Sequence, residues 1–254
     1  MSIELSRGDG MVEITLNAPE RRNALSPQEF DEFGAALREI ARTSTDRAVL
    51  ITGAGGAFCA GAYLAENLPD EPTVAIMARI NEAARALHHL PQPVVAAVDG
   101  PAYGAGMSIA LAADITIASR DAAFCQVFVK RGLVPDFGSS WLLPRIVGLQ
   151  AAKRLALLGE PVDAAEAATL GIVAEVVDED SALARARAIA GQLATGAPIA
   201  HRLTKQLLNT SFGSGFDEQI DAESAAATVA TGTEDVAEAF AAFAAKRKPV
   251  FKGR

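Results

Sequence analysis

PVVAAVDGPAYGAGMSIALAADITIA, running from Pro93 to Ala118, decides the fold class. Val94 to Val98 is a short, wholly apolar, valine- and alanine-built run of the kind that forms a strand buried on both faces. It empties into the glycine turn DGPAYGAG, a short apolar helix follows, and DITIA returns as a second strand. Strand, glycine turn, helix, strand is the grammar of a parallel α/β arrangement.

The same order recurs upstream. MSIELSRGDGMVEITLN predicts two alternating strands, roughly Ile3 to Leu5 and Met11 to Leu16, around an Arg-Gly-Asp-Gly turn. NAPERRNALS breaks the pattern and leads into a helix, with Ser26 as N-cap, Pro27 in the first turn, and Phe30, Phe33, Leu37 and Ile40 on one face. RAVLITGAGGAFCAG predicts a strand over Ala48 to Thr52 and a small-residue loop. A helix over Thr73 to Leu90 stops before PQP, where the prolines cannot continue it. From Ala151 the chain reads as mainly helical, apart from a strand expected at Ile172 to Val177. The expected organisation is a core over 1–194 followed by a C-terminal helical subdomain over 195–254.

Composition narrows the function classes. The chain has 254 residues, half of them apolar, which excludes a disordered protein. Its 23 Lys and Arg against 31 Asp and Glu give a net charge of −8 with no basic block, so nucleic acid is not the expected partner. Two cysteines, Cys59 and Cys125, are too few for a disulfide framework and point to a reduced, cytoplasmic setting. The N-terminal stretch carries no secretory pattern, and no apolar run reaches a membrane-spanning length.

Several familiar chemistries find no support. Gly53, Gly55 and Gly56 fail the dinucleotide pattern because Phe58 takes the third glycine position. There is no phosphate-binding GK[ST], no HExxH, no zinc spacing and no GxSxG. Metal binding is therefore not expected. His88 and His89 close a helix, where a dipole contact or plain exposure accounts for them.

Two loops and one carboxylate remain. GAFCAGAYL and GPAYGAGMSIAL each follow a predicted strand and precede a helix, and small residues there leave backbone amides open to a ligand. Asp136, in GLVPDFGSSWLLPR, is flanked by Pro135 and Phe137. A carboxylate beside an apolar cavity would have a raised pKa and act as a base near neutrality. It could equally cap the helix that begins near Gly138 or Ser139.

RRNAL, GAFCAG, PVVAAVDGPAYGAG, AADITIAS, GLVPDFGSSWLLPRIVG, LLGEPVDAAEAATLGIVAEVV and AFAAFAAKRKPVFKGR occur in that order over essentially the whole chain. Together they resemble the crotonase superfamily of enoyl-CoA hydratases and isomerases. The resemblance implies a core of repeated ββα spiral turns and a C-terminal helical region that builds homotrimers, often paired as hexamers. It implies an acyl-CoA thioester substrate, with coenzyme A as part of that substrate and no prosthetic group. Two backbone amides would stabilise a thioester enolate, and these match Ala62 and Ala105. Arg22, Ala24, Leu25, Ala60 and Ala62 would follow the CoA path, with Phe243, Lys246 and Phe251 resembling the group that closes over it. Tyr63, Leu68, Ile76, Ile80, Phe128 and Trp141 would shape the acyl pocket.

The two glutamates of hydratases match Ser108 and Phe128 here, so neither is present. Asp136 matches the aspartate of family members that move a double bond between β,γ and α,β positions, where one carboxylate suffices. GAYL at Gly61 to Leu64 is similar instead to the GFYL of 4-chlorobenzoyl-CoA dehalogenase, whose nucleophilic aspartate also matches Asp136. The histidines of that enzyme fall near Asn81 and Arg85. The expectation is an enoyl-CoA isomerase with Asp136 as acid/base. The alternatives are a hydratase with a non-standard site, dehalogenase-like chemistry, and a non-catalytic acyl-CoA scaffold.

Overall fold

The computed structural model describes residues 2–63, 71–178 and 181–254. Strands β1 (Ile3–Gly8) and β2 (Met11–Leu16) form the opening hairpin, and α1 (Pro27–Arg42) leads to β3 (Ala48–Gly53). Then come α2 (Thr73–His88), β4 (Val94–Val98), β5 (Pro101–Tyr103), α3 (Ala105–Ala112), β6 (Ile115–Ser119) and β7 (Ala123–Cys125). The second half holds α4 (Ser139–Val147), α5 (Leu149–Leu158), β8 (Val162–Asp163), α6 (Ala164–Thr169) and β9 (Glu175–Val177). Helices α7 (Ala182–Ala194), α8 (Pro198–Thr210), α9 (Phe216–Thr231) and α10 (Glu234–Ala244) complete the chain.

Two sheets result. The larger has the order β1-β2-β3-β4-β6-β9, antiparallel at the first pair and parallel thereafter. The smaller has the order β5-β7-β8. Alternation along β4 divides the core. Val94, Ala96 and Val98 pack with α1, α2 and α3, while Val95 and Ala97 face α7. On α7 the buried positions Ala182, Ala186, Ala190 and Ala194 recur every four residues, so a methyl stripe lets the helix lie close on the sheet. Helix α1 starts as its sequence predicts. The Ser26 side chain accepts from the Glu29 N–H, and the Glu29 carboxylate accepts from the Ser26 N–H.

Two boundaries differ from the sequence reading. Helix α2 ends at His88, not Leu90. The strand expected from Ile172 shortens to Glu175–Val177, because the N–H groups of Ile172 and Val173 both turn back to the Ala167 carbonyl and close α6. Their side chains are apolar because they fill the core, not because they pair in a sheet. Among the described residues, no helix is long and apolar enough to cross a membrane.

Candidate active site

Parallel strands β2, β3 and β4 end together, and ligands of open α/β sheets gather at such carboxyl ends. Three segments leave there: 17–26, 54–63 and 99–104, the last including β5. Asn23 staples the first to the second. It is fully buried, its Oδ1 accepts from the Ala18 N–H at 2.8 Å, and its Nδ2 donates to the Ala54 and Ala57 carbonyls at 2.8 and 2.7 Å. Its φ of 57° is left-handed, which asparagine tolerates better than most residues.

The loop carrying Ala62 is laced on both sides. Cys59 bridges Ala102, and Ala62 bridges Leu25, each as an isolated parallel pair. The Leu25 N–H donates to the Gly61 carbonyl, and the Tyr63 N–H to the Leu25 carbonyl, both at 2.8 Å. A parallel bridge of this kind uses the groups on either side of residue 62 and turns the N–H of Ala62 itself away from Leu25. That N–H has no acceptor among the described residues.

Ala105 is the first residue of α3, behind Gly104, which offers no side-chain cap. The N–H groups of a first helical turn lack intrahelical partners and sit at the positive end of the dipole. Gly61 brings the two loops into contact. A Cβ there would lie 3.4 Å from the Ala105 nitrogen and 2.8 Å from the Tyr103 carbonyl oxygen, and its φ of 101° is left-handed. Two unpaired amides on abutting loops are the elements of an oxyanion hole.

Asp136 does not cap α4. The N-cap is Gly138, no side chain caps it, and the Asp136 carbonyl accepts from both the N–H and the hydroxyl of Ser139. The carboxyl is left over, with Oδ1 buried and unpaired among the described residues. Burial raises its pKa from 3.8 to about 6, with no contribution from any charged neighbour. Its own charge is felt at the Cys59 thiol, which lies three residues before Ala62. The next residue, Phe137, is only 1% exposed and left-handed at φ 52°, and its ring meets Phe30 of α1 with centroids 6.2 Å apart.

The positions matching hydratase glutamates offer no acid or base. The Ser108 hydroxyl donates to the Gly104 carbonyl at 3.1 Å inside α3. Phe128 is 6% exposed, and its Cζ would lie 3.7 Å from a Cβ on Gly104, against the turn that carries Ala105. Burial pushes the Cys59 thiol up to about 12, consistent with a small buried hydrophobe.

Other expected site residues are distributed as follows. Ala24 and Leu25 are buried beside the Ala62 bridge, and the Arg22 carbonyl accepts from the Ala60 N–H at 2.9 Å. Tyr63 is 45% exposed under the Arg21 guanidinium, which stands 5.1 Å above its ring. Ile80 is buried, Ile76 packs against the core, and Leu68 lies outside the described residues. Trp141 lines a cavity of about 590 Å³ shared with Lys205 and His201, with its ring edge-on to His88 at 5.3 Å and beneath Arg145. Phe243 is 86% exposed at the end of α10. Among the described residues, no ring contact, ion pair or hydrogen bond joins Phe243 or Lys246 to Arg22, Ala24 or Leu25. The Phe251 carbonyl accepts from Arg47 near the opposite, N-terminal ends of the strands.

Asn23 and Phe137 are the residues of the candidate site that pattern reading passed over. Asn23 lies within RRNAL, where an asparagine after two arginines signals a left-handed turn. Phe137 carries no local signal.

Residues 6–254 match the family profile described as Enoyl-CoA hydratase/isomerase. The 1,2-epoxyphenylacetyl-CoA isomerase of Escherichia coli is 38% identical over 96% of this chain and 96% of that protein. The short-chain-enoyl-CoA hydratase of Clostridium acetobutylicum is 37% identical over 92% of this chain and 91% of its own. Among solved structures, an enoyl-CoA hydratase from Bacillus anthracis superposes with a TM-score of 0.96 at 32% identity, covering all of both chains. A whole-length profile match, relatives well above 30% identity and a coincident fold agree: the chain belongs to the enoyl-CoA hydratase/isomerase family, the crotonase superfamily.

Proposed function

We propose that this enzyme is an enoyl-CoA isomerase that moves a double bond in an acyl-CoA thioester, with Asp136 as its single acid/base. Asp136 takes a proton from C2 of a 3-enoyl thioester, and the electron pair delocalises onto the thioester oxygen. The N–H groups of Ala62 and Ala105 hold that oxygen as charge develops. The same carboxyl then returns the proton at C4, leaving the 2-enoyl thioester with no net change in atoms. Confinement of one carboxyl between two carbons of a bound substrate is what makes a single group sufficient.

One observation carries the reading: Asp136 is half-buried with its Oδ1 buried and unpaired among the described residues, and this burial raises its pKa to about 6. Such a group is mostly ionised near neutrality, ready to accept a proton, yet basic enough to hold that proton briefly and return it. Hydration needs a positioned water and a second acid, but Phe128 and the internally bonded Ser108 occupy the relevant positions. Dehalogenase-like hydrolysis needs a histidine, and Asn81 and Arg85 stand where it would be expected. Resemblance to the isomerase relative points the same way.

In this reading Arg22, Ala24, Leu25 and Ala60 border the CoA path, and Phe243 and Lys246 reach a site only in an assembly. Helices α8 and α9 bury no residue within one chain, and together with the turn between them they expose Leu208, Phe212, Phe216 and Ile220, which fits a homotrimer or hexamer built on the region after residue 195. Light scattering on the purified protein tests this, and a monomer would refute it. The activity is tested with Asp136→Asn on 3-enoyl-CoA and 2-enoyl-CoA substrates. Interconversion should fall by about 10³-fold or more, and a variant as fast as the parent would overturn the assignment.

A further inference from the structure

We propose that Phe137 is a positioning residue for Asp136, and that the first turn of α1 sets the spacing between that carboxyl and the Ala62 amide. The inference rests on the isomerase reading of Asp136 and adds what holds the carboxyl in place. A bulky aromatic side chain in the left-handed region is an outlier that surrounding structure must enforce. Phe137 adopts φ 52° and Gly138 follows at 78°, so two consecutive left-handed residues separate Asp136 from α4. Glycine or asparagine would suit that backbone better, yet the position holds a ring buried to 1% exposure against Phe30. The Asp136 carbonyl, in the peptide that joins it to Phe137, accepts from the Ser139 N–H at 3.0 Å and the Ser139 hydroxyl at 2.9 Å. That peptide is thus held by its own carbonyl and by the buried ring that follows, which fixes the backbone presenting the carboxyl.

Phe30 is also close to the amide loop along the chain. Its N–H bonds the Ser26 carbonyl, and Leu25, one residue earlier, forms both hydrogen bonds that hold Gly61 and Tyr63 on either side of Ala62. Leu25 and Phe30 are themselves buried to 1% exposure. One helix start therefore carries both halves of the site, the oxyanion donor through backbone pairing and the base through a ring contact.

Phe137→Gly and Phe137→Asn remove the ring while favouring the left-handed backbone, so a loss of rate cannot come from added strain. We expect kcat to fall about 30- to 100-fold with KM within about threefold, the scale of a carboxyl misplaced by about 1 Å. The pH midpoint of kcat/KM should move from near 6 toward the ordinary carboxylate range as water reaches Asp136. Phe30→Leu, a milder change from the opposite side, should move both readouts the same way and add less than threefold to the Phe137→Gly defect, about the level expected of coupled sites. It also keeps the test alive if Phe137→Gly does not fold. A purely structural role would lower stability and leave kcat and the pH midpoint unmoved. Parental values of both in Phe137→Gly and Phe30→Leu would overturn the proposal. Asp136→Asn is assayed in parallel: if it is fully active the isomerase reading fails, whereas if it is inactive and the phenylalanine variants are unperturbed only the positioning role fails.

Discussion

Replacing Asp136 by asparagine should abolish the proposed proton transfer and, above pH 7, stabilise the fold. Burial raises the folded-state pKa from 3.8 to about 6, so the folded chain holds this proton more tightly than the unfolded chain does. The stabilisation that comes with the proton is complete below about 3.8 and is lost as pH rises through about 6. A shift of roughly two units corresponds to about 3 kcal/mol. Partial contact of the carboxyl with solvent reduces the expected figure to about 2 kcal/mol. Asparagine has nearly the same shape and never ionises. The assay is denaturant unfolding of parent and variant at pH 4 and pH 8, at one protein concentration because an assembly would make stability concentration-dependent. The stability difference should favour the variant by about 2 kcal/mol more at pH 8 than at pH 4. Groups that titrate alike in both proteins cancel from that comparison. A difference independent of pH would show that Asp136 titrates normally and would remove the main support for its role as base.

Phe128→Ala should open space beside the turn that carries Ala105, costing about 3–5 kcal/mol of stability. It should not create a hydratase, because the space it opens brings no second acid, so product analysis should detect no 3-hydroxyacyl-CoA. Gly61→Ala would place a methyl group 2.8 Å from the Tyr103 carbonyl oxygen at a left-handed φ. Its kcat should drop about 100-fold through displacement of one oxyanion donor, measured by steady-state isomerisation. Asn23→Asp removes the two N–H donors to Ala54 and Ala57 and sets a carboxylate against their carbonyls. Denaturant unfolding should register a loss of about 2–4 kcal/mol at pH 7.

The parallel core was legible because its strands are buried on both faces and write themselves as continuous runs, as in Val94 to Val98. The smaller sheet was not. Its strands span only two or three residues, such as Pro101–Tyr103, too few for propensity or alternation to mark. The N-cap at Ser26 was readable because a serine followed by proline stands immediately before the apolar face of α1, whereas the reciprocal bond from Glu29 is seen only in the structure. At Asp136, capping and a free carboxyl could not be told apart locally, since the answer depends on the backbone turn at Phe137. The residue at that turn packs its ring on Phe30, a contact remote in sequence. The two amides were inferred from small-residue loops and family resemblance, whereas their contact through Gly61 is a tertiary fact. Trp141 shows another limit: its place in the sequence does not say which neighbours its ring meets, whereas the structure sets it edge-on to His88 beside a cavity lined also by Lys205 and His201.

The one-residue bridge between Leu25 and Ala62 has a consequence for genetics. In the proposed reading, two of the three chemical groups belong to the main chain of residues that are already alanine. An alanine scan of this protein would therefore be silent at both of them and would report the chemistry at Asp136 alone. The direction of the Ala62 N–H is dictated by pairing of its neighbours, so side chains at 62 and 63 are free to vary with the acyl group without disturbing charge stabilisation. Only proline, which deletes the N–H, or a change at Gly61 would expose that half of the site to mutational mapping. Substrate range can thus diverge quickly in this scaffold while the enolate-binding function stays hidden from selection on side chains.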